Sequence, residues 1–252
     1  MHIPVLLQEV LAALGPKPGD CMIDGTLGSG GHAIEIIKRI TPGGIFLGVD
    51  RDSNAIQAFQ PPETAAKIFT RQESYAKLPE IMAQLQLPKA DGLLLDLGFS
   101  SDQLSDGFFK GRGFSFQSDE PLIMTYDDQT VPLAQQLRSI SAEELAQILV
   151  ECGEERYARQ IAASIWQMVK QGKMETTQDL VRAVTAAVGA SYERGRIHPA
   201  TRTFQALRIF ANKELEQLET VLKQLPEIVK PMGRVAIISF HSLEDRIVKN
   251  YF

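Results

Sequence analysis

Ile23-Asp24-Gly25-Thr26-Leu27-Gly28-Ser29-Gly30-Gly31-His32 places four glycines and an acid between an apolar stretch, Cys21-Met22-Ile23, and a helical pattern from Ala33 to Ile40. Glycines at a strand-to-helix turn let the backbone bend with positive φ and let a ligand approach the helix N-terminus. Taken alone, the cluster could be a plain βα turn, so its neighbours decide. Downstream, Ile45 to Val49 is an apolar, β-rich run bounded by Gly43-Gly44 and Asp50; Ala66 to Thr70 reads as a third strand. Gly92 to Leu97 is a fourth, apolar on both faces as a central parallel strand should be. Strands alternating with helices in this way predict an α/β chain with a Rossmann-like, doubly wound sheet.

The rhythm changes after Leu97. Residues 98 to 132 are rich in Gly, Ser, Asp and Phe without sustained periodicity, the mark of a long functional loop. Helices then follow one another. Ser141 with Glu144 forms a capping box, Glu154 to Lys170 continues after a break at Gly153, and Thr176 with Asp179 caps a helix through Val188. We therefore expect a core of residues 1–104 plus 200–252, interrupted at 105–199 by a loop-rich, helical insertion on the substrate side. An N-terminal helix should span Pro4 to Leu14. Near the other end, Phe204, Leu207, Ala211, Leu215, Leu218, Leu222 and Leu225 recur at helical spacing and predict one long amphipathic helix. Val235 to Phe240 is the expected fifth strand, and Leu243 to Phe252 a final helix.

Composition narrows the class. With 44% hydrophobic and 23% charged residues over 252 positions, the chain is globular and can bury a sizeable core. No apolar run approaches the ~18 residues of a membrane span, and the start Met1-His2-Ile3-Pro4 lacks the pattern of a secretory signal. Cys21 and Cys152 make neither a disulfide framework nor a cysteine zinc site, so a cytoplasmic protein without metal is expected. The net charge of −5 argues against binding nucleic acid through overall charge. One window differs: between Tyr192 and Lys213 stand Arg194, Arg196, Arg202, Arg208 and Lys213 against the single acid Glu193. Such a stripe is a local anion site or a solvated helix face.

Two chemistries compete for the glycine turn. Gly28-x-Gly30-x-x-Ala33, with Asp50 following strand two, fits a dinucleotide fingerprint and an NAD-dependent oxidoreductase. Asp24, opening the loop, sits poorly beside a pyrophosphate and well beside the ammonium of an amino-acid moiety, which favours S-adenosylmethionine. Asp96 closes the fourth strand. In a doubly wound sheet the carboxyl ends of strands line the ligand crevice, so Asp24, Asp50 and Asp96 should converge there.

Several further stretches carry a resemblance. His2-Ile3-Pro4-Val5-Leu6, the glycine turn from Asp24 to His32, Asp50-Arg51-Asp52, Leu95-Asp96-Leu97-Gly98-x-Ser100-Ser101-x-Gln103-Leu104, Arg112-Gly113-Phe114-Ser115-Phe116, Gly153-Glu154-Glu155-Arg156, His198 to Ile209 and Ser239 to Arg246 resemble the RsmH (MraW) family. The resemblance implies methyl transfer from S-adenosylmethionine to N4 of a cytidine in small-subunit (16S) ribosomal RNA, with naked rRNA or an assembling 30S particle as partner. It also implies cofactor contacts at Gly30, Gly31, His32, Asp50, Asp96 and Gln103, and matches Tyr75 loosely to an aromatic after strand three. Asp24 and Gly28 join that set from the reading of the turn. The chain departs from the family at Pro121-Leu122-Ile123-Met124-Thr125-Tyr126-Asp127, where one acid and one Arg are replaced, and at Phe99, where Val is usual.

The chemistry agrees with these residues. Cytosine N4 is a poor nucleophile because its lone pair is delocalised, so it needs an acceptor for its hydrogens and a face for its base; Asp96 and Phe99 are the expected catalytic pair. Methylation at C5 would need a cysteine nucleophile, and neither cysteine follows strand four. His32 is read as a cofactor contact rather than a base. Arg194, Arg196, Arg202 and Arg208 are the expected RNA contacts. A non-catalytic RNA-binding module of the same fold stays open beside the oxidoreductase. The apolar fifth strand would be an exposed edge in this chain, and we expect a C-terminally incomplete form of the fold.

Overall fold

A computed structural model describes residues 4–98, 110–189, 192 and 197–252. In chain order the elements are α1 (Leu7–Leu14), β1 (Cys21–Asp24), α2 (Gly31–Ile40), β2 (Ile45–Asp50), α3 (Ser53–Ala58), β3 (Lys67–Gln72), a single 3-10 turn (Tyr75–Lys77), α4 (Leu78–Gln84) and β4 (Ala90–Asp96). They continue with α5 (Leu133–Gln136), α6 (Ala142–Gly153), α7 (Ala158–Lys170), α8 (Thr177–Val188), α9 (Thr201–Asn212), α10 (Glu214–Ile228), β5 (Val229–Ile238) and α11 (Ser242–Tyr251). The chain divides into two compact units, Met1–Gly98 with Leu215–Phe252, and Phe99–Glu214.

The first unit is a five-stranded sheet in the order β3-β2-β1-β4-β5, with every neighbouring pair parallel. Side chains alternate across it as strand geometry requires. Met22, Phe46 and Leu94 pack on one face with Val10, Leu11 and Leu14 of α1 and Ile36, Ile37 and Ile40 of α2. Ile23, Leu47, Leu93 and Leu95 pack on the other with Leu78 and Ile81 of α4 and Leu218, Val221, Leu222 and Leu225 of α10. A strand covered on both faces has no solvated side to keep polar, which is why β1 and β4 read as continuous apolar runs. β5 is an edge strand, and Val235, Ala236 and Ile237 are only half-buried.

The second unit is helical. Leu145 and Leu149 of α6, Ile161 and Ile165 of α7, Leu180 and Val184 of α8, and Phe204, Ala206 and Leu207 of α9 share one core. Both expected capping boxes form, Ser141 with Glu144 and Thr176 with Asp179. Gly153 ends α6, the chain turns at Glu154 with φ 49°, and the next helix starts at Ala158 and not at Glu154. A Cβ at Gly153 would lie 2.8 Å from the Arg202 carbonyl oxygen and 2.9 Å from the Ala206 Cβ, so the glycine is what lets α6 and α9 touch.

The altered loop also has a place in this unit. The buried Asn212 side chain accepts from the Tyr126 N–H at 3.0 Å and donates to the Met124 carbonyl at 2.8 Å and the Arg208 carbonyl at 2.9 Å. The Tyr126 hydroxyl donates to Glu214 at 2.7 Å.

Three expectations need correction. The long helix from Phe204 to Leu225 is two helices, because Lys213 takes a left-handed conformation with φ 53°. Its continuous periodicity hid the break: Phe204, Leu207 and Ala211 belong to the helical core, whereas Leu218, Leu222 and Leu225 belong to the sheet. For the same reason α9 packs within the helical unit and not in the 200–252 part of the core where we expected it. The N-terminal helix starts at Leu7, not Pro4, since Leu6 is left-handed with φ 52°.

Candidate active site

In a parallel sheet all strand ends of one kind lie on one edge, and the crevice opens where the strand order reverses. Here the reversal falls between β1 and β4. Asp24, Asp50 and Asp96 are the last residues of β1, β2 and β4. Asp24 pairs with Gly48 and Leu94, so the neighbouring strands each run two residues beyond it before ending in Asp50 and Asp96. The three carboxylates expected to converge do so at one sheet edge.

The β1–α2 turn is stitched to both neighbouring strand ends. Gly25 N–H donates to the Leu94 carbonyl and Leu27 N–H to the Val49 carbonyl, both at 2.9 Å. Gly28 N–H donates to Asp50 Oδ2 at 2.8 Å, and Asp52 N–H to Asp50 Oδ1 at 2.9 Å. Asp24 Oδ1 accepts from the Thr26 N–H at 3.0 Å and from its hydroxyl at 3.3 Å, while that hydroxyl oxygen accepts the Asp96 N–H at 2.7 Å. Thr26 thereby joins two of the three acids. The sequence reading missed it; the signal was a hydroxyl two residues after the strand-end acid Asp24. Gly30 has φ 79°, and a Cβ there would meet the Phe59 ring at 2.4 Å; at Gly31 a Cβ would meet Pro4 at 2.4 Å. Both glycines serve close packing of the turn as well as access to it.

The acids are held far from their solution behaviour. Asp24 is 1% exposed, and burial, opposed by its bonds to Thr26 and reinforced by the charges of Asp96 and Asp50, pushes its carboxyl up to about 7. Burial raises Asp50 to about 6 against the hydrogen bonds from Asp52 and Gly28. Asp96 is raised to about 6 by burial and by the negative charge of Glu244. Asp96 Oδ1 is buried and has no hydrogen-bond partner among the described residues. Its Oδ2 lies 3.7 Å from His32 Nδ1, and His32 Nε2 lies 2.9 Å from the Val5 carbonyl oxygen. Glu244, also missed, is 3% exposed in the first turn of α11; it accepts the Phe240 N–H at 2.9 Å and stands 3.1 Å from His241 Nε2. An acid three residues after an N-cap reads as a helix-end residue, and only burial marks it otherwise.

The remaining expected residues divide. Tyr75 packs at the turn through its Cβ: a Cβ on Gly25 would lie 3.0 Å from the Tyr75 Cβ. Phe99, Gln103, Arg194 and Arg196 lie outside the described residues. In the helical unit Arg202 is half-buried on α9. Arg208 is turned to Glu214, donating from Nε at 3.0 Å and Nη2 at 2.9 Å with 16% of its side chain exposed. That guanidinium is committed to an internal ion pair. Cys21 opens β1, at the end of the strand away from Asp24, and burial with the nearby Asp91 charge pushes its thiol up to about 11. Among the described residues no helix is long and apolar enough to cross a membrane.

A model of the MraW methylase family matches residues 1–252. The chain is 45% identical, over its whole length and 80% of the relative's, to the ribosomal RNA small subunit methyltransferase H of Syntrophotalea carbinolica. It is 44% identical to the proteins of that name from Magnetococcus marinus and Symbiobacterium thermophilum, again over its whole length and over 80% and 79% of theirs.

Proposed function

The chain belongs to the MraW methylase family, and from that membership we propose that it transfers the methyl group of S-adenosylmethionine to the exocyclic N4 of a cytidine in small-subunit ribosomal RNA, in the cytoplasm. The observation that carries the reading is Asp96 Oδ1, a buried acceptor with no partner at the end of β4, beside the switch point of the sheet. A buried lone acceptor is costly unless a ligand donor satisfies it, and an amine is such a donor.

The residues suit S-adenosylmethionine. Asp24, a desolvated carboxylate, gains a counter-charge from an ammonium group. Asp50 already accepts two N–H bonds, yet each carboxylate oxygen has a second lone pair for a ribose hydroxyl. α2 starts at Gly31, directly after the turn that follows β1, so its N-terminus belongs to the same end of the strand. Bound there, the cofactor supplies a methyl group already activated on a sulfonium. Asp96 then accepts hydrogen bonds from the N4 amine, orients its lone pair for in-line attack and takes one N–H proton as the N–C bond forms. Phe99 would support the base. Cys21, raised and at the far end of β1 from Asp24, is not placed for the covalent route to C5. Arg194, Arg196 and Arg202 are the proposed phosphate contacts; Arg208 is withdrawn from that set by its bonds to Glu214.

Incubation with methyl-labelled cofactor and small subunits lacking the modification, followed by nucleoside analysis, tests the reading. N4-methylcytidine is expected, and Asp96→Ala should depress transfer strongly. Label in 5-methylcytidine, or near-normal turnover of the variant, would overturn it.

A further inference from the structure

Resting on the reading of Asp96 as the amine acceptor, we propose that His32 is a positioning residue that divides the Asp96 carboxylate, holding Oδ2 and leaving Oδ1 to face the substrate amine. The imidazole is 6% exposed, and its two nitrogens have different neighbours. Nε2 lies 2.9 Å from the Val5 carbonyl oxygen. A carbonyl can only accept, so Nε2 carries a hydrogen and the ring orientation is set by the N-terminal segment. Nδ1 is thereby turned to Asp96 Oδ2 at 3.7 Å. A bare Nδ1 would set a lone pair against a carboxylate, so the favourable state of this pair holds one proton between Nδ1 and Oδ2. The main chain of Asp96 is fixed separately by its N–H bond to Thr26. With the backbone fixed and Oδ2 facing the ring at 3.7 Å, Oδ1, which has no hydrogen-bond partner among the described residues, is the atom left for a ligand.

The charges around Asp96 fit this division. Glu244 from α11 acts on it as a like charge, Asp24 from β1 is coupled to it in the same sense, and His241 stands against Glu244 rather than against Asp96. His32 from α2 faces it as a proton donor. Burial and the like charge of Glu244 keep Asp96 basic enough to take a proton, and His32 aims it. In the transfer the amine proton passes to Oδ1 while Oδ2 stays on the imidazole.

Two amide variants separate the two ring nitrogens. In H32N the amide nitrogen can take the place of Nδ1 and lose the Val5 contact; in H32Q it can reach the Nε2 position and lose Asp96. Both are assayed as full chains on small subunits lacking the modification. Cofactor affinity is read by calorimetry, folding by thermal melts, and kcat across pH 5 to 9. H32Q should lose about 30-fold or more in kcat with cofactor affinity within about twofold, the range expected for losing the orientation of an acid–base group. H32N should restore most of that loss. The acid limb of the kcat profile should move to higher pH in H32Q, because a donor to the carboxylate has been removed. Equal impairment of both variants, weakened cofactor binding that accounts for the loss, or a larger loss in H32N than in H32Q would overturn the proposal. Failure of the underlying reading shows elsewhere: the wild-type chain would give no N4-methylcytidine, or Asp96→Asn would turn over normally.

Discussion

Replacing Asp24 by Asn should remove the pH dependence that this carboxyl imposes on the sheet unit. Folding carries the group from 3.8 to about 7, chiefly by burial. Because the folded value is raised, its stabilising contribution is complete below pH 3.8 and is lost as pH rises through about 7. The whole excursion amounts to about 4 kcal/mol, of which about 2 kcal/mol falls between pH 5 and 7. Asn keeps an oxygen for the Thr26 N–H and does not ionise, although its NH2 adds a buried donor costing about 1 to 3 kcal/mol at every pH. Asp24→Asn should therefore be the less stable form near pH 4 and overtake the wild type by pH 8. Wild type and variant share every other titrating group, so their difference isolates Asp24. The single tryptophan, Trp166, lies in α7 of the helical unit, so its fluorescence reports the wrong part of the chain. Amide hydrogen exchange of β1 and β4 across pH, corrected for intrinsic rates, is the suitable assay. A stability difference that stays constant from pH 5 to 8 would refute the view that a desolvated carboxylate is stored here. The variant should also bind S-adenosylmethionine more weakly, since the cation that would repay the burial has lost its partner.

Asp50→Ala should weaken cofactor affinity by about 1.5 to 3 kcal/mol for each charged hydrogen bond lost; unchanged affinity by calorimetry would remove Asp50 from the site. Arg208→Ala leaves Glu214 with 9% of its side chain exposed and without its guanidinium, so the helical unit should lose about 3 to 5 kcal/mol in urea titration followed by Trp166 fluorescence. The same change should leave the salt dependence of RNA binding unaltered if Arg208 is purely internal. Gly153→Ala brings a methyl to 2.8 Å from the Arg202 carbonyl and should cost about 1 to 3 kcal/mol by overpacking; a stabilised variant would show that α6 and α9 can move apart.

Much of the architecture was legible because it depends on local pattern. β1 and β4 announced a buried parallel sheet through runs with no polar face, the glycine turn marked its first crossover, and both capping boxes named the helix starts they form. The three strand-end acids followed from the same logic, since a parallel sheet gathers its carboxyl ends on one edge. What the pattern could not determine was anything decided by a single backbone angle or by contact between distant residues. Lys213 splits one periodic stretch into two helices, because periodicity records which side is apolar and not which core that side joins. Thr26 bridging Asp24 to Asp96, Val5 fixing His32, and Glu244 acting on Asp96 join residues up to 148 positions apart. The basic window shows the same limit: sequence counts charges, whereas the fold turned Arg208 inward to Glu214. Composition and spacing set the strands, turns and acids of this chain; tertiary burial gave the acids their raised proton affinity, because desolvation exists only once the chain has closed around them.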